Sequence, residues 1–239
     1  MTTTSANRKQ AQSQTTSIGS IRRAELSRAA FEAVVLYGLR KTTLEKVGEL
    51  AGVSKGVVLH HFKDKGALLE AVFRRSNTLL SDSFTELCKH AENPYERFWA
   101  IIAANFSSTI FNRKVCQAWV SLSAEVAHSR QCQRVQTACN ARIQSNLCHE
   151  LKYFLNDEDT KRTAHLLSLL IDGIWVRAGL QAEPLTSANA IADMEYAILK
   201  LLPNDKHSVA RHAEARQKME NVATILHGSR AYAEQTFHV

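Results

Sequence analysis

TLEKVGELAGVSKGVVLHHFKDK, residues Thr43 to Lys65, reads as two short helices joined by a tight turn at Ala51-Gly52-Val53, with a third helix opening after Lys63-Asp64. That punctuation marks a helix-turn-helix, a unit that lays its second helix in the major groove of DNA. Thr43 suits the N-cap of the first helix, Leu44 to Leu50, because its hydroxyl can accept an orphan backbone N–H. Ser54 is placed to cap the recognition helix, Lys55 to Phe62, and Asp64 to cap the next one. Gly48 inside the first helix costs about 1 kcal/mol against alanine. Either it admits a close backbone approach or it is simply tolerated. Val47, Val53, Val58 and Phe62 read as the core that holds the two helices at their angle.

The chemistry of a DNA face follows from this placement. Lys55 and Gly56 stand at the N-terminus of the recognition helix, where side chains and backbone amides point at the groove. Lys55 reaches a guanine edge or a phosphate, Gly56 permits close approach, and Val57 can meet a thymine methyl. His60 and His61 suit phosphate contacts better than a metal, since adjacent helical side chains diverge by about 100°. Lys65 opens the following helix, so its ammonium and the helix N-terminus can serve one phosphate. Thr43, Lys46, Ser54 and Lys63 complete the expected DNA-contacting set. Taken singly, each lysine reads equally as a solvated surface charge; their grouping around one motif favours DNA.

Charge supports the same reading. The chain of 239 residues carries a net charge of +7. Residues 1–75 hold 13 Lys/Arg against 6 Asp/Glu, and the remainder holds 17 of each. The basic excess therefore belongs to the first third, as expected of a polyanion-binding module on a neutral body. A basic surface that only aids solubility is the plainer alternative. The five cysteines form no C-x-x-C pair, which argues for reduced thiols in the core or on the surface, against disulfides and against a zinc site. The polar N-terminus has no apolar signal region, and Leu166 to Leu180 is interrupted by Asp172 and Arg177 and too short to span a bilayer. A cytoplasmic protein without membrane association is expected. With no H-E-x-x-H, Gly-rich phosphate loop, G-x-S-x-G or nucleophile–base pair, no catalytic residue, metal or cofactor is expected.

Along the chain the spacing predicts an all-α protein. Residues 1–17 read as a disordered polar arm, 18–66 as a three-helix helix-turn-helix domain, and 67–205 as a larger helical ligand-binding and dimerisation domain. Residues 206–239 read as a polar, weakly helical extension without an assignable task. Helix one is expected over Ile21 to Tyr37, stopped by Gly38. After Asn93-Pro94 come blocks at Tyr95–Phe111, Lys114–His128 and Arg130–Phe154, then a strongly apolar helix over Thr160–Gln181 and another from Ser187 or Asn189 to Leu202. The Thr160–Gln181 helix is apolar nearly all round, so it must be buried on several sides. With Ala190–Leu202 it would build a four-helix dimer interface.

The stretch from Gly38 to Leu69 resembles TetR-type repressors. Within them, Ser20-Ile21-Arg22-Arg23, Gly56 to Lys65, Ala118-Trp119, Leu170 to Ala178 and Leu202 to Asp205 are similar to the BetI-type branch. The likeness covers residues 20–205; the arm and the tail fall outside it. It implies a helical homodimer on a double-stranded, near-palindromic operator, controlling choline-to-glycine-betaine genes with choline as effector. Asp172 is a carboxylate inside an apolar helix, one turn from Trp175, and needs a cation or donors if buried. A quaternary ammonium suits such a place, held by aromatic faces and one counter-charge. Trp99 and Trp119 are the other candidate walls. Alternatively, Asp172 pairs with a cation across the dimer and the tryptophans are ordinary core. Other readings are the same fold sensing a hydrophobic drug or fatty-acid derivative, and an architectural DNA-binding protein without an effector.

Overall fold

The computed structural model describes residues 3–228, with side chains from residue 19 onward. Ten α-helices and one short 3-10 turn make up its elements, with no strand among the described residues. The chain forms two compact units, Met1–Arg75 and Ser76–Val239. This division falls inside the fourth helix, later than the expected boundary at residue 66. The expected arm, 1–17, and the last part of the tail, 229–239, lie outside the residues described with side chains.

In the first unit, α1 (Thr3–Tyr37) begins earlier than apolar spacing placed it and ends at Gly38, whose φ of 75° is left-handed. Leu26, Ala30, Phe31 and Val34 of α1 are buried. α2 (Leu44–Leu50) is capped by Thr43, which accepts from the Lys46 amide at 3.3 Å. Gly52, at φ 66°, turns the chain into α3 (Lys55–His61). Gly48 has a definite task. A Cβ there would lie 2.6 Å from the Val53 carbonyl oxygen, and the Val53 amide donates to the Gly48 carbonyl at 2.8 Å. The glycine is what lets the turn fold back against α2. Val47, Val58 and Phe62 are buried as expected, whereas Val53 is only half-buried. α4 (Lys65–Cys88) is capped by Asp64, which accepts from the Ala67 amide at 2.8 Å.

In the second unit, α5 (Pro94–Phe106) is the central helix. Every residue from Phe98 to Phe106 is buried. α7 (Arg130–Leu151), α9 (Ser187–Leu201) and α10 (Lys206–His227) pack around it, while α6 (Arg113–Ser123) and α7 pack against α8 (Asp157–Leu180). The boundaries follow side-chain caps. Asn93, Asn112, Ser129 and Asn156 each accept backbone amides at the start of α5, α6, α7 and α8. α5 stops five residues before the expected Phe111 because Ser107 turns extended (ψ 143°) and Asn112 starts a new helix. α6 stops at Ser123, where a 3-10 turn, Ala124–Ala127, takes over.

One expectation stays open and one needs correction. Within a single chain α8 is buried on one side, and Leu166, Leu169, Val176 and Leu180 are exposed opposite it, on the side left for the expected dimer interface. Apolar character all round reflects one face for this chain's core and another left open. The stretch after Asp205 is no weak helix. Asp205 accepts from the His207 and Ser208 amides and starts α10, a 22-residue helix. Its buried face is His212, Ala215, Met219, Ala223 and His227. That face has helical spacing but no Leu, Ile, Val or Phe, so its amphipathicity is faint in sequence.

Candidate DNA-binding and effector sites

At the tip of α3, Ser54, Lys55 and Gly56 are exposed, Val57 is half-buried and Val58 is buried. Ser54 occupies the N-cap position but makes no side-chain bond to the helix, contrary to expectation. Its hydroxyl is thus not committed to the backbone it was expected to cap. The Lys55 ammonium lies 2.5 Å from the Glu45 carboxylate, with both side chains about half exposed. The bond from Lys55 holds the Glu45 carboxyl down at about 2, so this carboxylate stays ionised at neutral pH.

The four lysines do not form one free ring. Lys55 and Lys63 are exposed. Lys46 donates to the Lys41 carbonyl at 3.0 Å and lies 4.3 Å from the centre of the Tyr37 ring. Lys65 donates to the Leu39 carbonyl at 2.9 Å and so ties the start of α4 to the loop after α1. Its first task is structural, with two N–H groups still unassigned. Thr43 is exposed and engaged as a cap.

His60 is exposed and His61 half-buried; their rings meet edge-on at 5.2 Å. Burial, then the charges of His60, Arg23 and Arg22, lowers the His61 pKa and favours its neutral form. No cluster of three or more metal-ligating side chains occurs among the described residues. Two contributors were not anticipated. Leu59 is 42% exposed on α3, between Lys55 and Lys63 in sequence, and offers apolar surface on the recognition helix. Arg23 donates to the His61 carbonyl and stacks over Phe62 at 4.4 Å, fixing the C-terminal end of α3 on α1. The basic pair Arg22-Arg23 was visible in sequence, but its partner 38 residues away was not.

In the second unit, aromatic side chains form a connected series. Phe106 meets Phe111 at 5.2 Å, Phe111 meets Trp175 at 5.4 Å, and Trp175 meets Trp119 at 6.0 Å between ring centres. Trp175 is buried and Trp119 partly exposed. Gly179 makes this possible. A Cβ there would lie 2.7 Å from the Cys116 carbonyl oxygen and 2.8 Å from Val120, so α6 crosses α8 nearly backbone to backbone. Burial pushes the Cys116 thiol up to about 12, which keeps it protonated and inert.

Trp99 stands elsewhere. It is fully buried, donates from Nε1 to His212 Nδ1 at 3.2 Å and sits against Phe98. Asp172 is exposed on α8, although neighbouring protein is dense enough to raise its carboxyl pKa through desolvation. The exposure decides its direction: it flanks the open face, three residues from Leu169 and four from Val176, while Trp175 turns inward. Trp119 and Trp175 are thus brought together, Asp172 stands exposed one turn before Trp175 on α8, and Trp99 packs with Phe98 and His212 instead.

Comparison with known proteins agrees with both halves of the molecule. Residues 26–72 match the family described as bacterial regulatory proteins, tetR family, and residues 94–203 match the BetI-type transcriptional repressor C-terminal family. The HTH-type transcriptional regulator BetI of Escherichia coli K12 is 33% identical over 189 residues, covering 78% of this chain and 96% of that protein. BetI of Serratia proteamaculans is 35% identical over 176 residues, covering 72% and 88%. Among solved structures, a transcriptional regulator from Saccharomonospora viridis in complex with choline aligns with a TM-score of 0.68 at 16% identity, covering 77% of this chain and 98% of that one. A TetR-family regulator from Rhodococcus sp. aligns with a TM-score of 0.63 at 21% identity, covering 77% and 100%. α10 lies beyond the matched segment.

Proposed function

The chain belongs to the TetR family of bacterial regulatory proteins, with a BetI-type repressor C-terminal domain, and on that premise we propose that it represses choline-to-glycine-betaine genes as an operator-bound dimer, with choline or another quaternary ammonium as effector. Two recognition helices placed about one DNA turn apart, roughly 34–36 Å, call for a near-palindromic operator. Lys55, Gly56, Val57 and Leu59 are the candidates for base edges, and Ser54, Lys63 and His60 for phosphates.

The effector reading is carried by the Phe111–Trp175–Trp119 group inside the segment that matches the BetI-type family. A quaternary ammonium offers no strong hydrogen-bond donor, so aromatic faces and a single carboxylate are the groups that recognise it. Each aromatic contact is worth about 0.5–2 kcal/mol. We leave Trp99 out of this cage because it is fully buried among Phe98 and His212.

A second reading of Asp172 is favoured by its exposure beside Leu169 and Val176. In that reading it faces a second copy of the chain, where it needs a cation. Isothermal titration of the dimer with choline separates the possibilities. Absence of heat with the native chain rejects choline as effector. Weakened binding in Asp172→Asn supports the cage, and undiminished binding moves Asp172 to the interface. A footprint on the protein's own upstream DNA tests the rest. A protected near-palindrome whose affinity choline changes by 5–150-fold is expected from a typical coupling of about 1–3 kcal/mol. A ligand that binds both DNA-competent and incompetent states equally shifts nothing.

A further inference from the structure

α10 is fastened by two buried histidines near its ends. His212, 1% exposed, enters a box of rings: Tyr95 at 4.8 Å, Phe154 at 5.6 Å, Phe98 at 6.1 Å and Trp99 at 6.5 Å between centres. The Trp99 indole N–H donates to its Nδ1. An indole can only donate, so Nδ1 must carry no proton and the ring must be neutral. His227, 2% exposed, bridges Ser83 of α4 through Nε2 and Ser107 at the end of α5 through Nδ1, each at 2.8 Å. Between these points the helix buries only small or flexible side chains, Ala215, Met219 and Ala223.

We propose that α10 is a strap over α5 that acid releases, with His212 and His227 as its two latches. Protonating His212 abolishes its acceptor for Trp99 and places a charge where burial strips away its solvation and no carboxylate among the described residues is paired with it. Serine hydroxyls can reorient about His227, but the charge there is equally buried. Release uncovers the aromatic face of Tyr95, Phe98, Trp99 and Phe154.

The charged groups on the elements packed against α10 are occupied with one another. Lys218 pairs with Glu92 at 3.2 Å and Glu96 at 2.8 Å, Arg97 with Glu150 at 3.1 Å, and Arg216 with Glu195 at 2.6 Å. On α4, Glu86 pairs with Lys89, and Asp82 beside Ser83 is exposed. Arg211 lies over the Tyr95 ring at 5.4 Å. None of these charges offsets the desolvation that lowers both histidines to about 4. Burial raises Glu220, which works weakly the other way by favouring docking in acid. For the histidines the docked value lies below the free one, so their contribution is complete above about pH 6.5 and is lost as pH falls toward 4.

Hydrogen–deuterium exchange of the full chain at pH 7.5 and pH 5.0, corrected for intrinsic exchange, reads the strap directly. Each histidine should cost α10 roughly 30-fold in protection at pH 5, hence several hundred-fold together, with α7 and α8 retained. His212→Gln keeps an acceptor for Trp99 without titrating, so its loss should shrink to roughly 30-fold. A fall below tenfold in the native chain, an identical fall in H212Q, or simultaneous loss across α5–α9 overturns the proposal. Should H212Q already be undocked at neutral pH, histidine Hε1 titration by NMR in the native chain decides. A His212 midpoint well below 6.5 that coincides with loss of α10 protection supports the latch. A midpoint near 6.5 with α10 still protected refutes it.

Discussion

The ammonium of Lys55 rests on the carboxylate of Glu45, and that pairing would make the proposed DNA contact of this lysine an exchange. To engage a phosphate or guanine, Lys55 must leave Glu45, whose own negative charge then faces the duplex. Glu45→Gln should therefore tighten binding to any duplex several-fold and steepen the dependence of log affinity on log salt by up to one unit. Fluorescence anisotropy at two salt concentrations measures this, and equal affinity of mutant and native chain at both would refute it. Other residue-scale features were only partly legible. Gly48 stood out in sequence as an unfavourable helical residue, but only the 2.6 Å approach of the Val53 carbonyl shows why no side chain fits. Lys46 and Lys65 carried the right charge for phosphates, but sequence does not record which carbonyl a long side chain finds.

At the scale of elements, the helix-turn-helix was readable because its determinants are local. A cap, a left-handed glycine and three apolar positions within about 20 residues define it. The candidate effector region depends on a crossing between helices some 60 residues apart, and the residue at the close approach, Gly179, left no mark in the pattern. Gly179→Ala should push α6 from α8 because the new methyl meets the Cys116 carbonyl rather than a side chain that can move aside. A loss of about 1–3 kcal/mol is expected from such overpacking, seen as a lower urea midpoint, together with weaker effector binding as Trp119 parts from Trp175. Unchanged stability and unchanged binding would show that the crossing relaxes freely. α10 escaped detection for a different reason. Its buried face of histidine, alanine and methionine lacks the large aliphatic residues by which a core helix is usually recognised.

For the whole molecule, α8 exposes Leu166, Leu169, Val176 and Leu180 on one face, and α9 exposes Tyr196 at 69%, an apolar face of the kind that serves association. Dimerisation through α8 and α9 would cover it and would supply the symmetry that a palindromic operator requires. Leu169→Glu should yield a folded monomer by sedimentation, with operator affinity reduced at least tenfold because only one recognition helix engages at a time. A dimer of undiminished stability would place the interface elsewhere. The sequence pointed to these helices as the interface, and the apolar breadth of α8 divides into one face for the chain's own core and one left exposed.

The order in which the ribosome delivers the helices gives the strap one more consequence. α5 leaves the exit tunnel early in the second unit, while the helix that covers Tyr95 and Trp99 comes after α9. At synthesis rates of about 5–20 residues per second, an aromatic helix that ends buried from Phe98 onward spends several seconds uncovered. A chain broken off near Pro203 would keep that surface exposed for good. Such a fragment would retain the helix-turn-helix yet present a sticky flank, making it a substrate for chaperones and proteases rather than a smaller working regulator.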